Sequence, residues 1–406
     1  MGAAGRQRGA DLRSRTKRLG LTLTLEEVLR RTREVTAEVV RPGAERTDRE
    51  ARWPQENFAA LQAAGLGGLV VPRHVGGLGM GLSGLAQVCE ELGRACPSTA
   101  ISFGMHHVGA AVLAAKATPD QRERFLTPIA RGQHLTTLAL SEPGTGAHFY
   151  LPEAQLTRAP DGSLRVTGTK SFVTNAGHAD SYVTSVVALH EGSSAGEFSC
   201  VVLDKDAANQ RWGAPWQGLG MRGNDARSLQ LDQVVVPRAN LLGAEGDQIW
   251  YVFNVVAPYF LMAMAGTYLG IAAAALDEAR AHLSTRHYTH SGTTLAHEPL
   301  LQHRLGTLWA KVARTRALVH YAAEAGDRGT QDALLALCSA KAEVADCAIE
   351  VVGETMTLLG GKGYGTDSLV HRMLRDARAA HVMAPTTDLL RTWTGRALLG
   401  LPLLSG

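Results

Sequence analysis

From about Leu23 to Ile129 the apolar positions fall at helical spacing. In "TLEEVLRRTREVTAEVV", and again in "LSGLAQVCEELGRA", apolar side chains recur every three or four residues among charged ones, and each segment predicts an amphipathic helix. Glycine-rich stretches such as "VVPRHVGGLGMGLSG" interrupt the pattern and predict loops. Between about Leu138 and Val236 the period shortens to two. Leu229 and Leu231 alternate with polar residues and are followed by Val234 and Val236. "SYVTSVVAL" and "FSCVVL" are short β-branched runs bounded by Gly, Ser and Asp. From Gln248 onward helices return. Leu305, Leu308, Trp309 and Val312 follow the i, i+3, i+4, i+7 rule, and Leu334, Leu337, Cys338, Ala345, Ala348 and Val352 form a second stripe. Long helices joined by short loops predict an antiparallel bundle.

The order helices, strands, helices predicts an α+β protein that is mainly α. Its expected parts are a basic tail (1–22), an N-terminal helical domain (23–135), a middle β domain (136–246) and a C-terminal helical bundle (247–406). The same order excludes a doubly wound nucleotide-binding sheet, in which strands and helices alternate. The glycine-rich segments therefore need another explanation.

No charged side chain occurs from Gln248 to Leu276, a run longer than the ~20 residues a membrane-spanning helix needs. Asn254 and Pro258 within it, and its many Ala and Gly residues, fit a tightly packed central helix instead, so no membrane role is expected. With 41 basic and 38 acidic residues in a chain of 406, the net charge of +3 provides no overall field for nucleic acid or a membrane surface. Only the start is lopsided, with Arg6, Arg8, Arg13, Arg15, Lys17 and Arg18 against Asp11; this composition predicts a solvated tail. The five cysteines show neither a C-x-x-C pair nor zinc spacing and read as reduced packing residues. No apolar leader follows Met1, and the expected location is cytoplasmic.

Four motifs occur in order: "LALSEPGTGAHF", "GTKSFVTNAGHAD", "GLGMRGNDARSLQLDQVVVPRANLLG" and "LLGGKGYGTDSLVHRMLRDARAA". The glycines of the first suit a turn where backbone N–H groups approach a phosphate. Taken singly, each has a plain structural reading: Ser141 as a turn cap, Phe172 as core, Thr174 as a sheet pair, "GGKGY" as a helix stop. Together they closely resemble the acyl-CoA dehydrogenase family, from about residue 25 to residue 400. The resemblance implies an N-terminal helical domain, a middle β domain of barrel or sandwich type and a C-terminal four-helix bundle. It also implies FAD as cofactor, a homodimer or homotetramer, an acyl-CoA or acyl-carrier-protein substrate, and an electron-transfer partner or oxygen as acceptor. By the same resemblance Ser141 binds the flavin pyrimidine edge, Phe172 packs on the ring and Thr174 hydrogen-bonds N5. Leu138, Gly146 and Ala147 belong to the FAD site near the pyrophosphate loop, Gly360 and Gly361 receive the adenine half of a neighbouring subunit's FAD, and Thr386 is a further FAD contact.

Three departures stand out. The usual Ser-Asp after the glycines is Ala147-His148. The Arg-x-x-Phe-Gly clamp appears as "RHYTHSG", with Arg286 two residues early and Ser291 in place of Phe. Most consequential, Ala384 occupies the position of the glutamate that removes the substrate's α-proton, and Pro385 follows where glycine is usual. The alternative glutamate position is empty as well, because no Asp or Glu occurs between Asp247 and Asp277. What alanine retains is its backbone N–H, which in the family donates to the thioester carbonyl. His106, in "SFGMHHVGAAVLA", is the favoured substitute base, since an apolar site holds imidazole neutral; His107, His381 and Asp388 are weaker candidates. Three functions fit: an oxidoreductase on an acyl thioester, a flavin monooxygenase, and a non-catalytic partner in a hetero-oligomer.

Overall fold

The computed structural model describes residues 23–188 and 198–404; the basic stretch 1–22 lies outside them. Helix α1 (25–49) is continuous through a π turn at Thr36–Val40. It starts where expected: the Thr24 hydroxyl oxygen accepts the Glu27 N–H at 3.3 Å, and Glu26 and Glu27 sit in the first turn, against the positive end of the helix dipole. Helices α2 (Gln55–Ala63), α3 (Gly81–Gly93), α4 (Pro97–Ala115) and α5 (119–130) complete the N-terminal part, with α4 buried along nearly its whole length.

The middle region is one eight-stranded mixed sheet among the described residues. Its strands are β1 (Thr136–Ala139), β2 (Gln155–Arg158), β3 (Leu164–Val173), β4 (Ser181–Ala188), β5 (Phe198–Asp204), β6 (Gln210–Trp212), β7 (Arg227–Val236) and β8 (Leu241–Leu242). Their order is β6-β7-β3-β2-β4-β5-β8, with β1 parallel to β4. The phase slip between Leu231 and Val234 is a β-bulge. Gly168 pairs with Leu231 and Val166 with Val234, so three steps on β7 face two on β3, and Gln233 takes φ 54° at the extra position. All four of Leu229, Leu231, Val234 and Val236 thereby stay buried.

The C-terminal part comprises α6 (Gln248–Thr285), α7 (Pro299–Arg328), α8 (Ala333–Leu359), α9 (Leu369–Val382) and α10 (Thr387–Leu398). By length and composition α6 is apolar enough to cross a membrane, yet 78% of its most apolar window is buried inside the protein. It packs against α3 backbone to backbone: a Cβ placed on Gly266 would lie 2.1 Å from the Ala86 carbonyl oxygen, one on Gly270 2.4 Å from that of Glu90, and one on Gly93 2.5 Å from that of Thr267. Helix α7 ties itself to α3 through polar groups. The Asp327 carboxylate accepts the N–H groups of Leu82 and Ser83 at 2.6 and 2.9 Å, capping a helix other than its own, and Arg316 donates to the buried Glu90 at 2.8 and 2.9 Å. One expected core residue faces outward. Leu308 and Val312 are buried, but Trp309 is 64% exposed, because the buried stripe of α7 continues through Thr315, Val319 and Ala322 and leaves Trp309 beside it. All five cysteines are free and buried.

Candidate functional site

The loop after β1 is held by a buried ion pair. Lys170 of β3 donates to a Glu142 carboxylate oxygen and to the Ser185 carbonyl, while the other Glu142 oxygen accepts the N–H groups of Glu153 and Ala154 at 2.8 and 2.9 Å. Both ends of the loop containing Gly144, Gly146 and Ala147 are thereby fixed. Gly146 takes φ 53°, and a Cβ there would meet nothing within 4 Å, so its backbone faces open space. At the head of this loop the Ser141 carbonyl accepts the Ser171 N–H at 2.7 Å, which brings Ser141 beside Phe172.

Phe172 is 59% exposed although it ends a strand, and its φ of 53° is a conformation bulky residues rarely adopt. Trp216 meets it edge-on at 5.4 Å and is itself 54% exposed, so two large aromatic faces stand free at one place. Nothing in the sequence marked Trp216: it lies in the loop before β7, 44 positions from its partner. Asn175, Met221 and Asp225 also have positive φ, at 62°, 55° and 46°. Such residues cost about 1–3 kcal/mol each and persist where surroundings over-determine them. Here the surroundings are specific. The Asn175 side chain donates to the Ser102 carbonyl at 2.9 Å and accepts from the Trp53 indole at 2.8 Å, and the Gly223 N–H reaches the Ser98 hydroxyl at 3.1 Å. The Met221 N–H donates at 2.6 Å to Asp376 of α9, a carboxyl that burial pushes up to about 6. Thr174, buried next to Asn175, belongs to this same group.

A second set gathers elsewhere. Arg286, at the C-terminal end of α6, lines an open cleft of about 690 Å³ together with His282, Thr357, Gly360, Gly361 and Lys362. A Cβ on Gly360 or Gly361 would meet nothing within 4 Å, and Gly360 takes φ 59° with ψ −140°, a region essentially reserved for glycine. A cationic side chain and bare backbone around an open cleft fit an anionic, phosphate-bearing group.

Ala384 lies in the turn between α9 and α10, with a cis bond to Pro385. Lys341 of α8 donates to the carbonyls of Ala380, Met383 and Pro385 at 2.8, 3.2 and 2.9 Å, and the Tyr268 hydroxyl to the Met383 sulfur at 3.2 Å. Thr386 caps α10, its hydroxyl oxygen accepting the Leu389 N–H at 3.4 Å. Asp388 is exposed in the first turn of α10, and His381 lies 3.5 Å from Asp346. Leu138 is buried in β1 opposite Val183 and offers no free side-chain surface.

The geometry argues against His106 as the substitute base. Its Nδ1 accepts the Thr136 N–H at 3.1 Å and its Nε2 donates to the Gly67 carbonyl at 2.9 Å, so both ring nitrogens are engaged by backbone. Burial lowers its pKa to about 4. His107 has neither nitrogen hydrogen-bonded, but it falls on the stripe Ala100, Phe103, Gly104, His107, which packs against α3 at Cys89 and α6 at Ala263, and it stands edge-on to Phe103 at 4.2 Å. His106→Ala is expected to leave the Gly67 carbonyl and Thr136 N–H unpaired, at about 1–3 kcal/mol each. The unfolding midpoint falls while the rate per bound flavin holds; a lost rate with an unchanged midpoint would return the ring to the chemistry.

Three domain descriptions match the chain: "Acyl-CoA dehydrogenase, N-terminal domain" over residues 22–133, the middle domain over 137–234 and the C-terminal domain over 258–399. A cyclohex-1-ene-1-carbonyl-CoA dehydrogenase of Geobacter metallireducens is 31% identical over 93% of this chain and 97% of its own length. Butyryl-CoA dehydrogenase from Megasphaera elsdenii superposes with TM-score 0.87 at 24% identity, covering 93% of this chain and 99% of the other. A prolyl acyl carrier protein oxidase superposes with TM-score 0.80 at 20% identity, covering 91% and 98%. With all three regions matched in order, and a full-length relative above 30% identity, the chain belongs to the acyl-CoA dehydrogenase family of oxidoreductases.

Proposed function

We propose that this protein is an FAD-dependent oxidoreductase acting on an acyl thioester, carried by CoA or by an acyl carrier protein, without a side-chain carboxylate at the usual position of the base. The observation that carries the reading is Ala384, set in a turn whose backbone is held by Lys341 although the catalytic side chain is gone. Ser141, Phe172 and Thr174 would hold the flavin ring, Gly146 and Ala147 the pyrophosphate, and Arg286, Gly360 and Gly361 the adenine half. FAD, when bound, supplies the hydride acceptor of the reaction. Electrons then pass to an electron-transfer partner or to oxygen.

Spacing favours a site shared between copies. Gly104 of α4, near the ring residues, packs on Ala263 of α6, and Arg286 lies about 34 Å further along at 1.5 Å per residue. A single chain would ask one FAD to span that distance, whereas two chains related by a two-fold axis would let each supply one of the two sets. A homodimer or homotetramer is therefore expected by light scattering at micromolar concentration. A monomer that still holds FAD would contradict it.

The deciding experiment is an anaerobic titration of the FAD-loaded protein with a panel of CoA and carrier-protein thioesters. Bleaching of the flavin supports the reading. Turnover only with an external flavin reductase and oxygen would make the protein a monooxygenase of the same fold. Loss of flavin or of folding without a second chain would make it a non-catalytic subunit.

A further inference from the structure

We propose that Lys341 is a positioning residue that aims and strengthens the Ala384 N–H as the hydrogen-bond donor to the substrate's thioester carbonyl. The inference rests on the reading above that the substrate is an acyl thioester. Lys341 is fully buried in α8, and no carboxylate lies within ion-pair distance of it among the described residues. Its three N–H groups match three acceptors, the carbonyls of Ala380, Met383 and Pro385. Ala380 is in the last turn of α9, where carbonyls lack an intrahelical partner and a cation is favoured. The other two acceptors flank Ala384 on either side.

The geometric consequence follows from the planar peptide. The Met383 C=O and the Ala384 N–H belong to one rigid unit and point in opposite directions. Drawing the Met383 oxygen towards Lys341 therefore turns the Ala384 N–H away from the buried amine, where it meets no acceptor among the described residues. A carbonyl that accepts from an ammonium is also polarised, which makes the N–H across the same peptide a stronger donor. With no carboxylate at position 384, this donor is what the turn retains for acting on a thioester: it stabilises negative charge on the carbonyl oxygen. Burial lowers the Lys341 ammonium to about 8, so it is charged at neutral pH.

The test compares the FAD-loaded protein with Lys341→Met, using two probes: acetoacetyl-CoA, and the corresponding CoA thioether that lacks the thioester carbonyl. Acetoacetyl-CoA ionises to an enolate, so its long-wavelength band with oxidised flavin reports charge on the carbonyl oxygen. In the parent the thioester binds more tightly than the thioether and gives the band. In Lys341→Met the thioester is expected to weaken by about tenfold or more, the range of a charge-assisted hydrogen bond. The band fades, and thioether affinity and FAD content hold. If Lys341→Met prefers the thioester as strongly as the parent does, the proposal is overturned. If the parent binds neither probe, it is the thioester reading that fails. Should Lys341→Met not fold, Lys341→Gln keeps donors near the three carbonyls without the charge; it is expected to lose most of the preference, and full retention would sink the proposal.

Discussion

Butyryl-, octanoyl- and palmitoyl-CoA are expected to reduce the flavin of this protein on the order of a hundred to ten thousand times more slowly than they reduce an Ala384→Glu variant. That range is what a positioned general base contributes. The acyl probe needs a group within hydrogen-bond reach of its α-proton, and the titratable side chains near the turn are engaged otherwise. All three Lys341 donors are spent on backbone carbonyls, Tyr268 donates to the Met383 sulfur, and one Asp376 oxygen holds the Met221 N–H. Ala384→Gln is the control, matching the glutamate in size without its basicity. Stopped-flow bleaching of the oxidised-flavin absorbance under argon reads all three proteins. Fast reduction of the parent, or equal rates in the Glu and Gln variants, would show that the proton has another acceptor.

The second large effect concerns stability. Replacing Lys170 by Met, or Glu142 by Gln, is expected to lower the apparent unfolding free energy by about 3–5 kcal/mol, the usual result of leaving one member of a buried ion pair alone. Neither group can recruit water, because both are buried. Replacing both, as Glu142→Leu with Lys170→Met, removes the stranded charge and recovers only part of the loss. It still leaves the N–H groups of Glu153 and Ala154 without their acceptor, a residual deficit of about 1–3 kcal/mol for each. Since those contacts fix the loop of Gly144 to Ala147, FAD affinity falls most in the double variant and least in Lys170→Met, which keeps them. Urea unfolding and flavin retention on gel filtration measure the two effects. Single variants within about 1 kcal/mol of the parent would mean that the pair is solvated in solution.

How far the sequence revealed these features depends on how local they are. The bulge in β7 is visible as the odd step from Leu231 to Val234, because a period of two admits no other reading on one buried face. Ala384 is visible because its neighbours follow a familiar order. Lys341 does leave a signal in the sequence: it stands within the stripe Leu337, Lys341, Ala345, Ala348, a cation on an otherwise apolar face. By contrast, the preference for His106 over His107 as the base had no means of weighing the partners of either ring. What separates them is the Gly67 carbonyl, 39 positions earlier, and the Thr136 N–H, 30 positions later. Trp309 shows the limit of periodicity, which marks an apolar side of a helix but not how wide a neighbour covers it. The left-handed backbone at Phe172 and Met221 had no signal, since these residue types avoid that conformation when free to choose.

The glycine contact between α3 and α6 also bears on how the chain is made. Gly93 and its partner Gly270 are separated by roughly 180 residues, so at about 5–20 residues per second some nine to thirty-five seconds of synthesis pass before α3 meets the helix it packs against. During that interval the face of α3 around Ala86 and Glu90 has only a shallow backbone groove to offer, and no bulky side chain shields it. Nascent chains are then open to chaperones and to one another. A gene split between the sheet and α6 is accordingly expected to yield two insoluble halves when expressed separately, and soluble protein only when both are produced in the same cell.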